Sequence, residues 1–306
     1  MAAPFYLIVG FLGSGKTTLL KRLIADHAEA RRIAVVQNEF AAVNVDAHEL
    51  ARTGKPFHLL EVNRGSVFCV CLIADFKTSL AQFIDEYRPD AILLEASGLA
   101  DPIAVAELLT APELQQRTFL AHVRCIVDAS NFMLLEKNNL RLTHQVRVAD
   151  VVLINKIDLV ADDELERVEA RIRAINPTAE PVRTTFCKMP TTLPLNAQIL
   201  AEPIFEAPLG RPAVGTAVIK TAQKMRTADL ERFINELEPH VWRIKGFVNL
   251  KEGGTVTVQS VFGTTQLTPL EDYQGITELI VIGPEVEQAE VVEHFRRLCR
   301  DKSLAS

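Results

Sequence analysis

Gly10, Phe11, Leu12, Gly13, Ser14, Gly15, Lys16 and Thr17 satisfy the pattern GxxxxGK[ST] at every defined position. Glycines let the backbone turn its N–H groups inward around an anion. Lys16 supplies a point charge for β- and γ-phosphates, and Thr17 offers its hydroxyl to Mg²⁺. A short β-branched run precedes the loop, and a helix opening at Lys16, with Thr17 and Thr18 in its first turn, adds the partial positive charge of its N-terminus.

A second group is Asn155, Lys156, Ile157 and Asp158, an NKxD sequence after the apolar run Val151–Ile154. Guanine presents an N1–H beside a 2-amino group, and one carboxylate accepts from both, so Asp158 is the expected base selector. Asn155 is expected to brace the loop and the guanine edge, and the aliphatic stem of Lys156 to cover the ring face. Cys187 and Lys188 follow a strand expected over 181–184; they form either a backbone cradle near the guanine oxygen or a plain strand-end loop.

Between the two groups the run Ala91–Leu94 ends in Glu95, followed by Ala96, Ser97, Gly98, Leu99, Ala100, Asp101 and Pro102. Glu95 is expected to hold Mg²⁺ with Thr17, and the Gly98 amide to bond a γ-phosphate. Lys16, Glu95 and Gly98 are therefore the candidate catalytic set. Asp46 is a further magnesium candidate, with a solvated loop carboxylate as the other reading. No glutamine stands near Gly98 in the sequence, so unaided hydrolysis is expected to be slow, and a partner, a bound metal or dimerisation to complete the site.

These groups need a scaffold, and the first two thirds of the chain supply its rhythm. Strand-like runs at 7–9, 33–36, 91–94, 123–127 and 151–154 alternate with helical spacing over 16–30, 76–87 and 162–175, which predicts a mostly parallel, doubly wound sheet. Prolines accumulate over 189–213, where neither a long helix nor a central strand tolerates them. The expected organisation is a nucleotide-hydrolase domain over 1–188, a linker over 189–213 and a smaller α+β domain over 214–306. That last region is expected to hold strands at 217–220, 246–250, 255–261 and 278–282 and helices at 228–237 and 286–299.

The 306 residues, 48% hydrophobic and 24% charged, suffice for such a core, and a net charge of −6 gives no reason to expect nucleic acid or an anionic membrane as partner. No signal peptide or bilayer-spanning run is apparent, which points to the cytoplasm. Five cysteines spread over the chain are expected as free thiols.

The motifs together resemble the CobW-type family of P-loop GTPases, relatives of the nickel-insertion GTPases for hydrogenase and urease. The resemblance rests on GFLGSGKTTLL at 10–20, NEF at 38–40 followed by Asp46, EASGLADP at 95–102, VVLINKIDL at 151–159 and RIKGFV at 243–248. It implies two domains, bound GTP and Mg²⁺, slow GTP hydrolysis, and a role in delivering or inserting metals or metal cofactors into a client metalloprotein, with a homodimer as one option. The family's C-x-C-C signature is degenerate here: Cys69 and Cys71 survive, and of the acidic cluster around NEF only Glu39 remains. The two thiols either chelate Zn²⁺ or another transition metal with Glu39 or His58, or are small buried hydrophobes. A regulatory GTPase for a corrinoid or other metalloenzyme client, holding no transition metal itself, is the alternative.

Overall fold

The computed structural model describes residues 2–38, 57–62, 70–96, 98, 100–188, 214–261, 263–271, 273–284 and 286–300. Uninterrupted aliphatic runs form strands covered on both faces, the mark of a parallel sheet under helices. β1 (Ala3–Gly10) is buried along its whole length. With β2 (Ile33–Asn38), β3 (His58–Val62), β4 (Ala91–Glu95), β5 (Thr118–Asp128), β6 (Val151–Asn155) and β7 (Glu180–Arg183) it forms one sheet in the order β3-β2-β4-β1-β5-β6-β7. The ladders β1–β4, β2–β3, β2–β4, β5–β6 and β6–β7 are all parallel, as the rhythm predicts.

Helices alternate with these strands. α1 (Lys16–His27) buries Leu19, Leu20, Leu23 and Ile24, the one-sided spacing of a helix on a sheet. α2 (Val70–Tyr87) begins six residues before the expected start at 76, because Val70, Cys71, Leu72 and Ile73 form an apolar run with no polar face to reveal the period. α3 (Pro102–Leu109), α4 (Phe132–Asn138) and α5 (Leu140–Val148) were not expected. All three are short, and α3 buries Ile103, Val105, Ala106, Leu108 and Leu109, so it carries no amphipathic signature. α6 (Asp162–Ile175) spans the expected range, with Asp162, Asp163 and Glu164 at its positive end and Leu165, Val168, Ile172 and Ile175 buried. Each such side chain contributes about 1.5–3 kcal/mol on burial.

The chain divides into two compact units. One comprises Ala3–Ala104 and Leu120–Ala201 and holds most of the parallel sheet; the other comprises Met1–Ala2, Val105–Phe119 and Glu202–Ser306. The second unit is built on β8 (Val214–Thr221), β9 (Arg243–Asn249), β10 (Thr255–Val261), β11 (Thr264–Leu270) and β12 (Thr277–Pro284), in the order β11-β10-β9-β12-β8. Its ladders are antiparallel. β11 was not expected, and its mostly polar, exposed residues explain why.

α7 (Thr227–Leu237) and α8 (Gln288–Cys299) pack Leu230, Phe233, Ile234, Val291 and Phe295 against Ile219, Ile244, Val258 and Val281. Arg243 and Lys245 alternate with that core face on β9 and are buried. Desolvation holds the Arg243 guanidinium down to about 10, and desolvation together with Arg243 holds the Lys245 amine well below its usual range. No helix among the described residues is long and apolar enough to cross a membrane.

Candidate nucleotide-binding site

Parallel strands deliver their carboxyl ends to one edge of the sheet, and open α/β sheets bind ligands there. Gly10, Glu95, Asp128 and Asn155 end β1, β4, β5 and β6. Register sets Glu95 opposite Ile8, two residues before Gly10, and Asp128 opposite Asn155. Residues far apart in the chain thus meet within a few strand spacings.

The loop from Gly10 to Lys16 has the backbone that an anion cradle needs. Gly15 sits at φ 114°, and a Cβ there would fall 2.5 Å from Asn155 Nδ2 and 3.0 Å from Cys187 Sγ. No other residue type fits. Lys16 opens α1, is buried, and places Nζ 3.1 Å from the Phe11 carbonyl, so its charge lies across the loop. Thr18 lies half-buried in the next turn.

Thr17 donates its hydroxyl to Glu95 Oε1 at 2.8 Å. An octahedral Mg²⁺ with oxygen ligands at about 2.1 Å places neighbouring ligand oxygens roughly 3 Å apart, so this pair fits a shared ion. Gly98 packs against the same loop: a Cβ on it would lie 2.9 Å from the Leu12 amide nitrogen.

At the base end, Asn155 is only 3% exposed and works within the protein. Its Nδ2 donates to the Ser14 carbonyl at 2.8 Å, and its Oδ1 accepts from the Cys187 amide at 2.9 Å and from Thr184 Oγ1 at 3.3 Å. Asn155 thus ties the phosphate loop to the 184–187 segment, and the Cys187 amide is turned to Asn155. Phe186 and Cys187 both adopt positive φ, 51° and 52°. The Cys187 thiol, pushed up to about 12 by burial, donates to the Gly15 carbonyl, while Arg22 Nε on α1 holds the Phe186 carbonyl at 2.7 Å.

Lys156 follows at φ 62°, and its Nζ lies 2.7 Å from Asp128 Oδ2. Asp128 also accepts from the Ser130 amide, Ser130 Oγ and Asn131 Nδ2. Burial pulls its carboxyl upward, but these hydrogen bonds together outweigh burial and hold it below the usual carboxylate range. Asp158 stands in the exposed turn Ile157–Leu159, open to a ligand.

Sequence reasoning missed Asp128 and also Gln145. The absence of a glutamine near Gly98 holds only along the chain: Gln145 on α5 donates its Nε2 to the Gly98 carbonyl at 3.3 Å and to the Ala100 carbonyl at 2.8 Å. Beside it, His144 Nδ1 lies 3.2 Å from Asp101 Oδ1. Asp128 ends an apolar run as Glu95 does, a signal that could have found it. For Gln145 no local pattern existed.

Glu39, Asp46 and Cys69 lie outside the described residues. Cys71 falls in the first turn of α2 by its backbone. His58 is not a partner for it. The His58 ring stacks at 4.1 Å on Tyr87, at the far end of α2, and about 24 Å of helix, at 1.5 Å per residue, separates Tyr87 from Cys71. No cluster of three or more metal-ligating side chains occurs among the described residues.

A phosphate loop after the central strand of a parallel sheet, with a guanine-type turn after β6, defines a P-loop nucleotide-binding protein. Residues 4–183 match the family model described as CobW/HypB/UreG, nucleotide-binding domain, and residues 214–299 match the cobalamin synthesis protein cobW C-terminal domain. The chain belongs to the CobW/HypB/UreG family.

It is 28% identical to a zinc-regulated GTPase metalloprotein activator 1 of Dictyostelium discoideum, over 63% of this chain and 48% of that protein. It is 28% identical to a zinc chaperone CobW of Pseudomonas aeruginosa, over 96% of this chain and 90% of that protein. The chain spans about half the length of several of its curated relatives, the Dictyostelium protein among them. The crystal structure of the Zn(II)-bound YjiA GTPase from E. coli aligns with 98% of this chain and 100% of its own at a TM-score of 0.52 and 20% identity, a likeness of fold.

Proposed function

We propose that this protein is a slow, magnesium-dependent GTPase that serves as a metallochaperone, delivering a transition metal or metal cofactor to a client metalloprotein in the cytoplasm. The observation that carries the hydrolase reading is the Thr17–Glu95 hydrogen bond at the mouth of the phosphate loop, which joins residues 78 positions apart. The proposed Mg²⁺ ligands are Thr17 and Glu95.

GTP and Mg²⁺, when bound, supply the phosphoanhydride and the charge that offsets its negative oxygens. The amides of Gly13 to Thr18 and the Lys16 ammonium hold the phosphates and oppose the charge that grows in the transition state. Gly98 donates its amide to the terminal phosphate. Asp158 reads the guanine edge, and Lys156, anchored on Asp128, lays its stem along the ring.

Metal is the cargo in this reading. Support comes from relatives called zinc chaperones and a zinc-regulated activator, and from the closely spaced Cys69 and Cys71 of the sequence. Loss of the γ-phosphate at Gly98 would alter this edge of the sheet and release the ion.

The experiment is a titration of Zn²⁺, Co²⁺ and Ni²⁺, with GDP or with a non-hydrolysable GTP analogue, into wild type, Cys69→Ser and Cys71→Ser. Stoichiometric binding that depends on both thiols and changes with nucleotide is expected. No binding of any of the three metals in either nucleotide state would end the chaperone reading.

A further inference from the structure

We infer that Gln145 is a positioning residue for GTP hydrolysis: from α5 it holds the carbonyls of Gly98 and Ala100 in place, so that the Gly98 amide stays aimed at the terminal phosphate. The inference deepens the reading of Gly98 given above and rests on it.

The geometry is specific to a side-chain amide. An NH₂ group carries two donors, and Gln145 Nε2 faces two acceptors, the carbonyls of Gly98 and Ala100 at 3.3 and 2.8 Å. Gln145 is fully buried, so neither bond is exchanged with solvent, and removing the donors would strand two carbonyls. Its own Oε1 finds no partner among the described residues. An apolar side chain of the same length would fill that space without the cost of a buried, unpaired oxygen. Packing alone therefore does not account for a glutamine at this position.

The turn that it grips needs an external hold. Glycine has the least restricted backbone of any residue, so Gly98 does not orient its own peptide groups. One side of Gly98 is pressed on the phosphate loop at Leu12, and the other hangs from Gln145. The neighbouring residue on α5 extends the grip: His144 pairs with Asp101, whose Oδ1 also accepts from the Ile103 amide at 2.9 Å and so caps α3. α5 also leads, through Ala149 and Asp150, directly into β6 and the Asn155–Asp158 segment. One helix thus fixes the phosphate turn and continues into the strand that carries the base turn.

The test compares wild type, Gln145→Met, Gln145→Asn and Gly98→Ala for GDP affinity, affinity for a non-hydrolysable GTP analogue, and kcat. For both Gln145 variants GDP affinity is expected to stay within about twofold, while analogue affinity and kcat each fall at least about tenfold, the size of loss that a small misplacement causes. A residue that only supports the fold would lower GDP and analogue binding alike, and either that result or no change in either would overturn the inference. Gly98→Ala separates the two layers of the argument. If it leaves the preference for the GTP analogue over GDP intact, the Gly98 reading itself fails; if it removes that preference while the Gln145 variants keep it, only the role of Gln145 fails.

Should the variants not fold, hydrogen exchange on the wild type decides. Segments 96–101 and 140–148 are expected to gain protection together when the analogue replaces GDP, and protection of the first without the second would overturn the inference.

Discussion

Lys156 Nζ lies 2.7 Å from Asp128 Oδ2, and through this bond the end of β5 determines where the Lys156 side chain, proposed to cover the guanine, is held. Asp128 is itself fixed by Ser130 and Asn131, so the lysine is anchored to a carboxylate that cannot swing away. Asp128→Asn removes the charge that attracts the ammonium while keeping the shape of the side chain. GTP and GDP affinities are expected to fall equally, by about tenfold or 1.4 kcal/mol, because the base is common to both. Equilibrium binding of fluorescent GTP and GDP analogues checks this.

The same carboxylate sets a pH dependence. Its folded pKa lies below the unfolded value of about 3.9, so its contribution is complete above that value and disappears as pH falls through the folded value. The difference in Tm between wild type and Asp128→Asn is expected to be constant from about pH 8 to pH 5 and to close below about pH 4. Scanning calorimetry across that range measures it. A gap that widened toward acid would contradict the assignment.

Glu95→Gln should separate binding from hydrolysis. The amide keeps a hydrogen bond to Thr17 but loses the charge that would draw in Mg²⁺. GDP binding in the presence of a chelator is expected to be unchanged, the magnesium concentration for half-maximal turnover to rise, and kcat to fall about a hundredfold. A magnesium titration of phosphate release supplies both numbers.

Gly15→Ala tests the brace behind the phosphate loop. A methyl group at φ 114° would be strained, and it would strike Asn155 Nδ2 at 2.5 Å and Cys187 Sγ at 3.0 Å. The expected outcome is loss of at least about a hundredfold in nucleotide affinity, since loop and base turn are displaced together. Isothermal titration calorimetry would measure it, with circular dichroism confirming the fold.

Asp158 stands exposed in its turn and is free to meet a base edge. Asp158→Asn should weaken GTP and favour xanthosine triphosphate, because an amide can donate to the xanthine 2-oxo group where a carboxylate cannot. Competition between the two nucleotides checks it. Equal affinity of the wild type for ATP and GTP would refute the role of Asp158 independently.

The part of the site that was legible beforehand is local in the chain. Gly10 to Thr17 and Asn155 to Asp158 are each one strand, one turn and the start of the next element, so a handful of neighbouring letters carries the whole geometry. Glu95 was legible because it ends an apolar strand. Asp128 ends one too, but it was passed over because no known pattern follows it. Gln145 sits in α5, a short helix with no strong period, and its partners lie 45 and 47 residues away. Such a contact leaves no trace in spacing. The partners of Asn155 and Cys187 left no trace in the sequence for a related reason: which group each one meets depends on how closely β6, the phosphate loop and the 184–187 segment pack.

Taken alone, then, the order of residues determined the parallel sheet, the phosphate loop and the turn that carries Asp158, since hydrophobic period and turn chemistry act over a few residues at a time. Only the tertiary structure decided that Asp128 holds Lys156, that Gln145 holds the Gly98 turn, that Asn155 faces the protein and that His58 lies at the far end of α2 from Cys71. The physical reason is that hydrogen bonds and ion pairs depend on distances of about 3 Å, and across separate strands and helices those distances are set by register and packing.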